Sequence, residues 1–360
     1  MFDWSEYTGN LSWIPKRTIF LAHHGSTAYG TSLPESDIDY RGVAVAPREF
    51  YLGGLHRFDQ AVCNKPDLTI FDLRKFVSLA SQCNPNVLEI LFVDELDHLQ
   101  VSAAGRKLLD ARDLFVTRRV KHTFSGYAHS QMKRIDAHYR WLKHPPAAQP
   151  TRAEFGLPDR TLIPQDQLAA AESSVRKKLD SWSVDFLEDL PRDLRECVLQ
   201  KMAEHLSELQ IASNEELWKG AARTIGINDN FILILDMEQR YAAKKREWDN
   251  YQEWKRNRNP ARAKLEANWG YDTKHAGHLV RLTRMCREIL ETGKVIVRRP
   301  DADELLAIRR GAWTYEQLRE WQATEDAALE EVAAKSNLPK SPDVEAIDRM
   351  CVELIWSAIQ

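Results

Sequence analysis

Apolar positions change their spacing once along this 360-residue chain, near residue 70. Before that point they fall in short runs separated by turn residues, clearest at 18–22, 38–46 and 67–71. Runs of that length bounded by turn signals predict strands. After it the spacing is helical. Leu73, Phe76, Val77 and Ala80 share one helix face, Pro85 ends that helix, and Asn86 caps a following one over 87–92. A long helix is predicted over 113–142, with Val120, Phe124, Tyr127, Ala128, Ile135, Tyr139 and Leu142 as its buried stripe. Further helices are expected at 166–181, 192–211, 229–257, 273–291, 301–310, 314–335 and 343–358. Residues 144–164 hold five prolines and no periodicity, which predicts an irregular connector or a loop that closes over a site. The pattern is that of an α+β protein, with a sheet-bearing domain at 1–110 and a larger, mainly α-helical region at 111–360.

Composition changes this picture little. Hydrophobic residues at 43% and charged residues at 29% are those of an ordinary soluble protein, long enough for two or three domains with sizeable cores. No stretch approaches the roughly eighteen apolar residues of a membrane span, so no membrane partner is expected. The opening MFDWSEYTGN is acidic and aromatic, unlike a signal peptide. Cys63, Cys83, Cys197, Cys286 and Cys351 are scattered without a Cys-x-x-Cys, which suits free thiols in a reducing cytoplasm rather than disulfides or a zinc site. A net charge of −3 does not advertise nucleic-acid binding, so any such contact must rest on local clusters.

The chemistry concentrates in residues 25–42, GSTAYGTSLPESDIDYRG. A Gly-Ser pair, Gly25 and Ser26, follows the apolar run 18–22, and Asp37 and Asp39 come after it at i, i+2 spacing. On a strand, residues two apart share a face about 6–7 Å apart. Carboxylates so placed can share a pair of divalent ions about 3.5–4 Å apart, the arrangement used for in-line displacement at phosphorus. Gly-Ser opening a helix offers backbone N–H groups and a hydroxyl to a phosphate. Singly, each part has a bland explanation: a solvated strand end, a loop, a polar turn at 34–37. Together they bring phosphate donors and metal ligands to one sheet edge, the layout of a nucleotidyltransferase. Gly30 suits a helix end. Arg41 would face the same side as Asp39, to touch phosphate or to pair with a carboxylate. His23 and His24 are core residues or orient Ser26.

This pattern resembles the DNA polymerase β-type nucleotidyltransferases, and more narrowly the RNA repair pathway DNA polymerase β family. The resemblance rests on GSTAYGTSLPESDIDYRGV, on FDLRKFVSLASQCNPNVLEILF, and on GYDTKHAGHLVRLTRMCREILETG followed by AIRRGAWTYEQL. It runs from about residue 18 to about residue 325 and is weakest between 145 and 250. It implies a polymerase-β-like palm, Mg²⁺ or else Mn²⁺ as cofactor, an NTP as substrate and an RNA end as acceptor. It also implies a third carboxylate on the strand after Asp-x-Asp, for which Asp67 and Asp72 compete. Five positions apart, they would face opposite sides of one strand. Asp72 immediately precedes the amphipathic run from Leu73 and fits a helix cap, so Asp67 is the expected metal ligand and catalytic partner of Asp37 and Asp39. Gly25 and Ser26 would hold the β- and γ-phosphates.

Two cationic groups could serve substrate. Lys274, His278 and Arg281 fall at i, i+4 and i+7, one helix face, and are expected to grip the nucleotide. His275 and His278 as a zinc pair lack further ligands nearby. Lys255, Arg256, Arg258 and Arg262 follow Trp248, Tyr251 and Trp254, which suits a phosphate backbone with stacked bases, or else a solvated helix end. Alternative acceptors are a protein or a small molecule. A catalytically silent nucleotide- or RNA-binding module is a further alternative, opposed by the intact Asp-x-Asp.

Overall fold

The computed structural model describes residues 2–34, 36–161, 163–180 and 214–359. The helix expected at 192–211 and Cys197 lie outside them. The described chain is α+β. Its sheet has five strands: β1 Thr18–His24, β2 Asp39–Ala44, β3 Gln60–Asn64, β4 Asp67–Asp72 and β5 His98–Val101. They lie in the order β3-β4-β2-β1-β5. The β2–β4 pair is parallel, and the β1–β2, β3–β4 and β1–β5 pairs are antiparallel.

Apolar residues sit on both faces of this sheet. Phe20, Ala22 and Val43 pack toward the helices, whereas Leu21, Ala44, Leu68 and Ile70 pack against Phe2, Ile14 and Phe58. A strand covered on both faces reads as a continuous apolar run, which is why 18–22 stands out so clearly. The helix Leu73–Ser81 buries Leu73, Phe76, Val77 and Ala80, the predicted face. Asp72 caps it, its side chain accepting from the Arg74 N–H.

Two helix boundaries differ from expectation. Asn84, not Asn86, caps the helix Pro85–Leu88, because Pro85 takes the first helical position, where its missing N–H costs nothing. The long helix begins at Val120 rather than 113; residues 112–115 form a 3₁₀ turn, and the Phe115 carbonyl accepts from Cys83 Sγ at 3.2 Å. Of the predicted stripe, Val120, Phe124, Ala128 and Ile135 are buried, whereas Tyr127, Tyr139 and Leu142 are partly open and Gln131, Met132 and Trp141 are buried in addition. The helices Asn214–Thr224 and Pro260–Trp269 were not expected. Those at Asp229–Asn257, Thr273–Thr292, Ala302–Arg309, Tyr315–Lys335 and Val344–Ile359 match the pattern.

The chain divides into two compact units, residues 1–143 with 259–360, and residues 144–258. The boundary expected at 110 falls inside the first. There, Thr273–Thr292 packs along Val120–Lys143 and buries Leu279, Val280, Leu282, Met285, Ile289 and Leu290. In the second, Val175, Ala221, Ala222 and Ile232 form a small core. None of the described helices is long and apolar enough to cross a membrane.

Candidate active site

The site is built at one end of β1, β2 and β4. β2 begins at Asp39, so Asp37 lies two residues ahead of the strand and is exposed. Asp39 pairs in register with His24 on one side and with Asp67 on the other. Two carboxylates thus stand side by side on neighbouring parallel strands. Gly25, next after His24, opens the short helix Gly25–Tyr29 with φ of +61°. A β-carbon there would collide with Asp39 Oδ2, so glycine is what lets the helix start against the carboxylate. Ser26, half-buried beside it, uses its carbonyl to accept from the Thr31 N–H at 2.9 Å, and Gly30 closes the helix with φ of +74°.

Pleating settles which aspartate faces the site. Along β4 the side chains alternate, with Asp67, Thr69 and Phe71 partly open and Leu68, Ile70 and Asp72 buried. Asp72 Oδ1 accepts from the Tyr51 hydroxyl at 2.7 Å while Oδ2 caps the following helix, so Asp72 is consumed by structure. Asp67 is the one brought to Asp39.

Arg41 lies between them. Its Nη1 donates to Asp67 Oδ1 at 2.9 Å and its Nη2 stands 3.5 Å from Asp39 Oδ1. Of the two readings of Arg41, pairing with carboxylates is the one the geometry displays. Burial raises the Asp39 carboxyl pKa above its ordinary value; Arg41 pulls it down, and the hydrogen-bonded Asp67 carboxylate pushes it up. This is a site short of positive charge.

Lys274, exposed at the start of Thr273–Thr292, is close enough for its charge to act on Asp39. Desolvation and the nearby Arg309 and Arg262 lower its pKa, while Asp272 and Asp39 oppose them. The other two members of the expected stripe are elsewhere. Arg281 is 3% exposed, donates to Glu89 Oε1 at 2.6 Å and stacks 3.7 Å over the Tyr29 ring. His278 lies 3.3 Å from Arg281, and burial, then that guanidinium, hold it neutral well below the usual histidine range. Glu89 also accepts from the Tyr29 hydroxyl at 2.7 Å, so this network is the floor beneath the Gly25–Tyr29 helix. Sequence reasoning missed Glu89. Its signal was a lone acid inside the apolar run 87–92, where a buried charge demands a partner. His24 is buried on the same floor, and burial, Arg41 and Arg281 depress its pKa to about 3. His23 lies at 3.7 Å from Asp97, which also accepts from Arg298 at 2.7 Å.

The second cationic group is split between the compact units. Lys255, Arg256 and Arg258 belong to residues 144–258, where Trp248, Tyr251 and Trp254 form a row at 6.2 and 5.9 Å and Arg258 lies 4.7 Å over Trp254. Arg262 belongs to the other unit and donates to Asp272 Oδ2 at 3.3 Å, touching His275 as well. Nearby, ligand atoms of His138, Glu266 and Asp272 lie within 4.8 Å of one another, and Arg262 is the cation beside them.

A 38.9 kDa protein from the nrdC-mobD intergenic region of Enterobacteria phage T4 is 22% identical over 349 residues, spanning 92% of this chain and 94% of its own length. No solved structure matches the chain. Residues 8–144, which carry the sheet and the carboxylates, match the RNA repair pathway DNA polymerase beta family, a polymerase β-like nucleotidyltransferase family.

Proposed function

We propose that this protein is a Mg²⁺-dependent nucleotidyltransferase that moves a nucleoside monophosphate from an NTP to a hydroxyl at an RNA end. The observation that carries this reading is the register pairing of Asp39 with Asp67, with the Asp39 carboxylate set against Gly25 at the start of its helix. The donor set fits a hard divalent cation. It consists of carboxylate oxygens, burial and then the neighbouring Asp67 raise the pKa of Asp39 against the pull of Arg41, and a guanidinium already stands between two of its members. Asp37, Asp39 and Asp67 would hold the ion, which when bound supplies Lewis acidity at the phosphoryl oxygens. Gly25 N–H and Ser26 would fix the β- and γ-phosphates, and Lys274 would neutralise charge on the leaving pyrophosphate. Asp67 would take the proton of the acceptor hydroxyl. The RNA acceptor is supported by the family and by the Trp248–Arg258 row of aromatic and basic residues.

The test is transfer of label from each α-labelled NTP, with Mg²⁺, to RNA, protein and small-molecule fractions. Label should enter RNA, and Asp37→Asn with Asp39→Asn should abolish it while leaving the metal-free protein at least as stable as the parent, since like-charge repulsion is gone. Transfer surviving in that double variant, or in the parent with excess EDTA, would refute the mechanism. Label in protein or in a small molecule alone would refute the acceptor.

A further inference from the structure

Away from the carboxylates, two shallow clefts share a wall. One, of about 360 Å³, is lined by Lys143, Asn268, Trp269, Trp313 and Glu316. The other, of about 510 Å³, is lined by Lys133, Arg140 and Arg319 together with Asp136. Tyr139 and Tyr315 belong to both, stacked at 3.9 Å with 9° between their planes. Their hydroxyls are used within the fold, donating to Glu316 and Asp136 at 3.4 and 2.8 Å. The stacked pair is therefore a rigid ridge between an aromatic cleft and a cationic one.

Trp269 is the feature that packing leaves unexplained. It is 46% exposed at the rim of the first cleft, yet its ring is seated directly on Gly311, whose φ of +88° and missing side chain admit it. An indole fixed from below and open above is a stacking platform. Asn268 and Glu316 beside it offer an amide and an acceptor. A carboxylate there is unfavourable toward phosphate and favourable toward donors, such as the exocyclic amines of bases and the ribose 2′-hydroxyl. Phosphate is suited instead by the adjoining cleft, where Lys133, Arg140 and Arg319 gather. The first cleft also lies close along the chain to Lys274, whose charge acts on Asp39. Asn268–Gly270 precede Lys274 by four to six residues, and Thr273 Oγ1 donates to the Arg309 carbonyl at 2.7 Å, which fastens the Gly311 turn to the same helix end.

We infer that these clefts bind single-stranded RNA, one base stacking on Trp269 and neighbouring phosphates lying across Lys133 and Arg319. The clefts would then hold the body of the acceptor strand on whose end the carboxylates act, and the inference so rests on the function proposed above. The experiment is a fluorescence-anisotropy titration of the full chain with a labelled oligouridylate of about a dozen nucleotides, across a salt series and without NTP. Trp269→Ala should weaken binding by roughly 5- to 150-fold, the worth of one stacked base. Lys133→Ala with Arg319→Ala should make the log–log salt slope shallower by about 1.4, or 0.7 per single-strand phosphate. Uridine monophosphate should compete poorly, as should duplex RNA, whose bases cannot splay onto the indole. Parent-like affinity and slope in both variants would overturn the inference. So would a mononucleotide or a duplex that competes as well as the single strand. Label transfer by the parent, measured in parallel, reads the proposed function separately: transfer to RNA with unaltered binding by both variants refutes only the clefts, whereas binding that responds as expected without any transfer refutes only the function.

Discussion

Replacing Gly25 by alanine puts the site geometry to its most direct trial. Two costs can be read from the backbone. At φ of +61° a β-carbon meets its own carbonyl, a penalty of about 1–2 kcal/mol. That β-carbon also falls on Asp39 Oδ2, so the carboxylate must turn away from Asp67 and lose its Arg41 contact at 3.5 Å, which adds up to about 1 kcal/mol for a partly exposed pair. The sum, about 2 kcal/mol, should lower Tm by roughly 4–8 °C for a unit of this size. Gly30→Ala supplies the control. Its φ is +74°, but the nearest atom to the new β-carbon is Ala302 Cβ at 3.8 Å, an ordinary contact. It should cost about 1 kcal/mol, from the backbone alone, and spare catalysis. Thermal melts and label transfer on both variants decide the matter. Gly25→Ala should lose transfer and Gly30→Ala should keep it. A Gly25→Ala protein with the parent's Tm and transfer would show that the carboxylate is not fixed against this backbone, and the argument for Gly25 would fail.

The remaining predictions concern the neighbours of the site. Asp67→Asn should remove transfer with little change in Tm, whereas Asp72→Ala, losing a helix cap and the acceptor of the Tyr51 hydroxyl, should cost about 1–3 kcal/mol and retain activity; the opposite outcome in stably folded variants reverses the assignment. Arg281→Met should destabilise by about 3–5 kcal/mol, because Glu89 is left charged and buried, and adding Glu89→Gln should recover part of that loss; a mild single variant with weakened NTP binding would return Arg281 to the nucleotide. Burial holds His275 near a pKa of about 4, against 6.5 unfolded, with Arg262 also lowering it and Asp272 opposing. The folded state therefore binds fewer protons than the unfolded one between those values, so the neutral ring's stabilisation is complete above pH 6.5 and fades toward pH 4, by up to about 1.4 kcal/mol per pH unit. His275→Gln should flatten the Tm profile across that window, and an unchanged slope would exclude it.

The central strands were legible because burial on both faces writes an unbroken apolar run, as in Ile19 to Ala22. The edge strands Gln60–Asn64 and His98–Val101 were not, since each is short and pairs along one side, leaving few apolar residues as signal. The two-residue period of a strand and a cap position separate Asp67 from Asp72 in the sequence, and β4 does set the two on opposite sides with Asp72 capping the next helix. The cationic stripe misled because helical spacing shows which residues share a face, not what that face meets. Arg281 shares a face with Lys274, but its partner Glu89 is 192 positions away and belongs to another element. Arg262 is grouped by sequence with a basic run suited to a phosphate backbone or a solvated helix end, because the helix Pro260–Trp269, whose Arg262 bonds Asp272, has almost no amphipathic pattern to announce it.

The Glu89–Arg281 pair also fixes how little of this chain can be inherited or transplanted as a working piece. The matched family segment ends at 144, so a chain cut there keeps Glu89 and Tyr29 but loses the guanidinium that pairs with the one and stacks on the other. It would also bare the apolar surface now covered by Leu279, Val280 and Met285. The smallest portable piece is discontinuous in the gene. Residues 1–143 and 259–360 form one compact unit and must travel together, although residues 144–258 separate them in sequence.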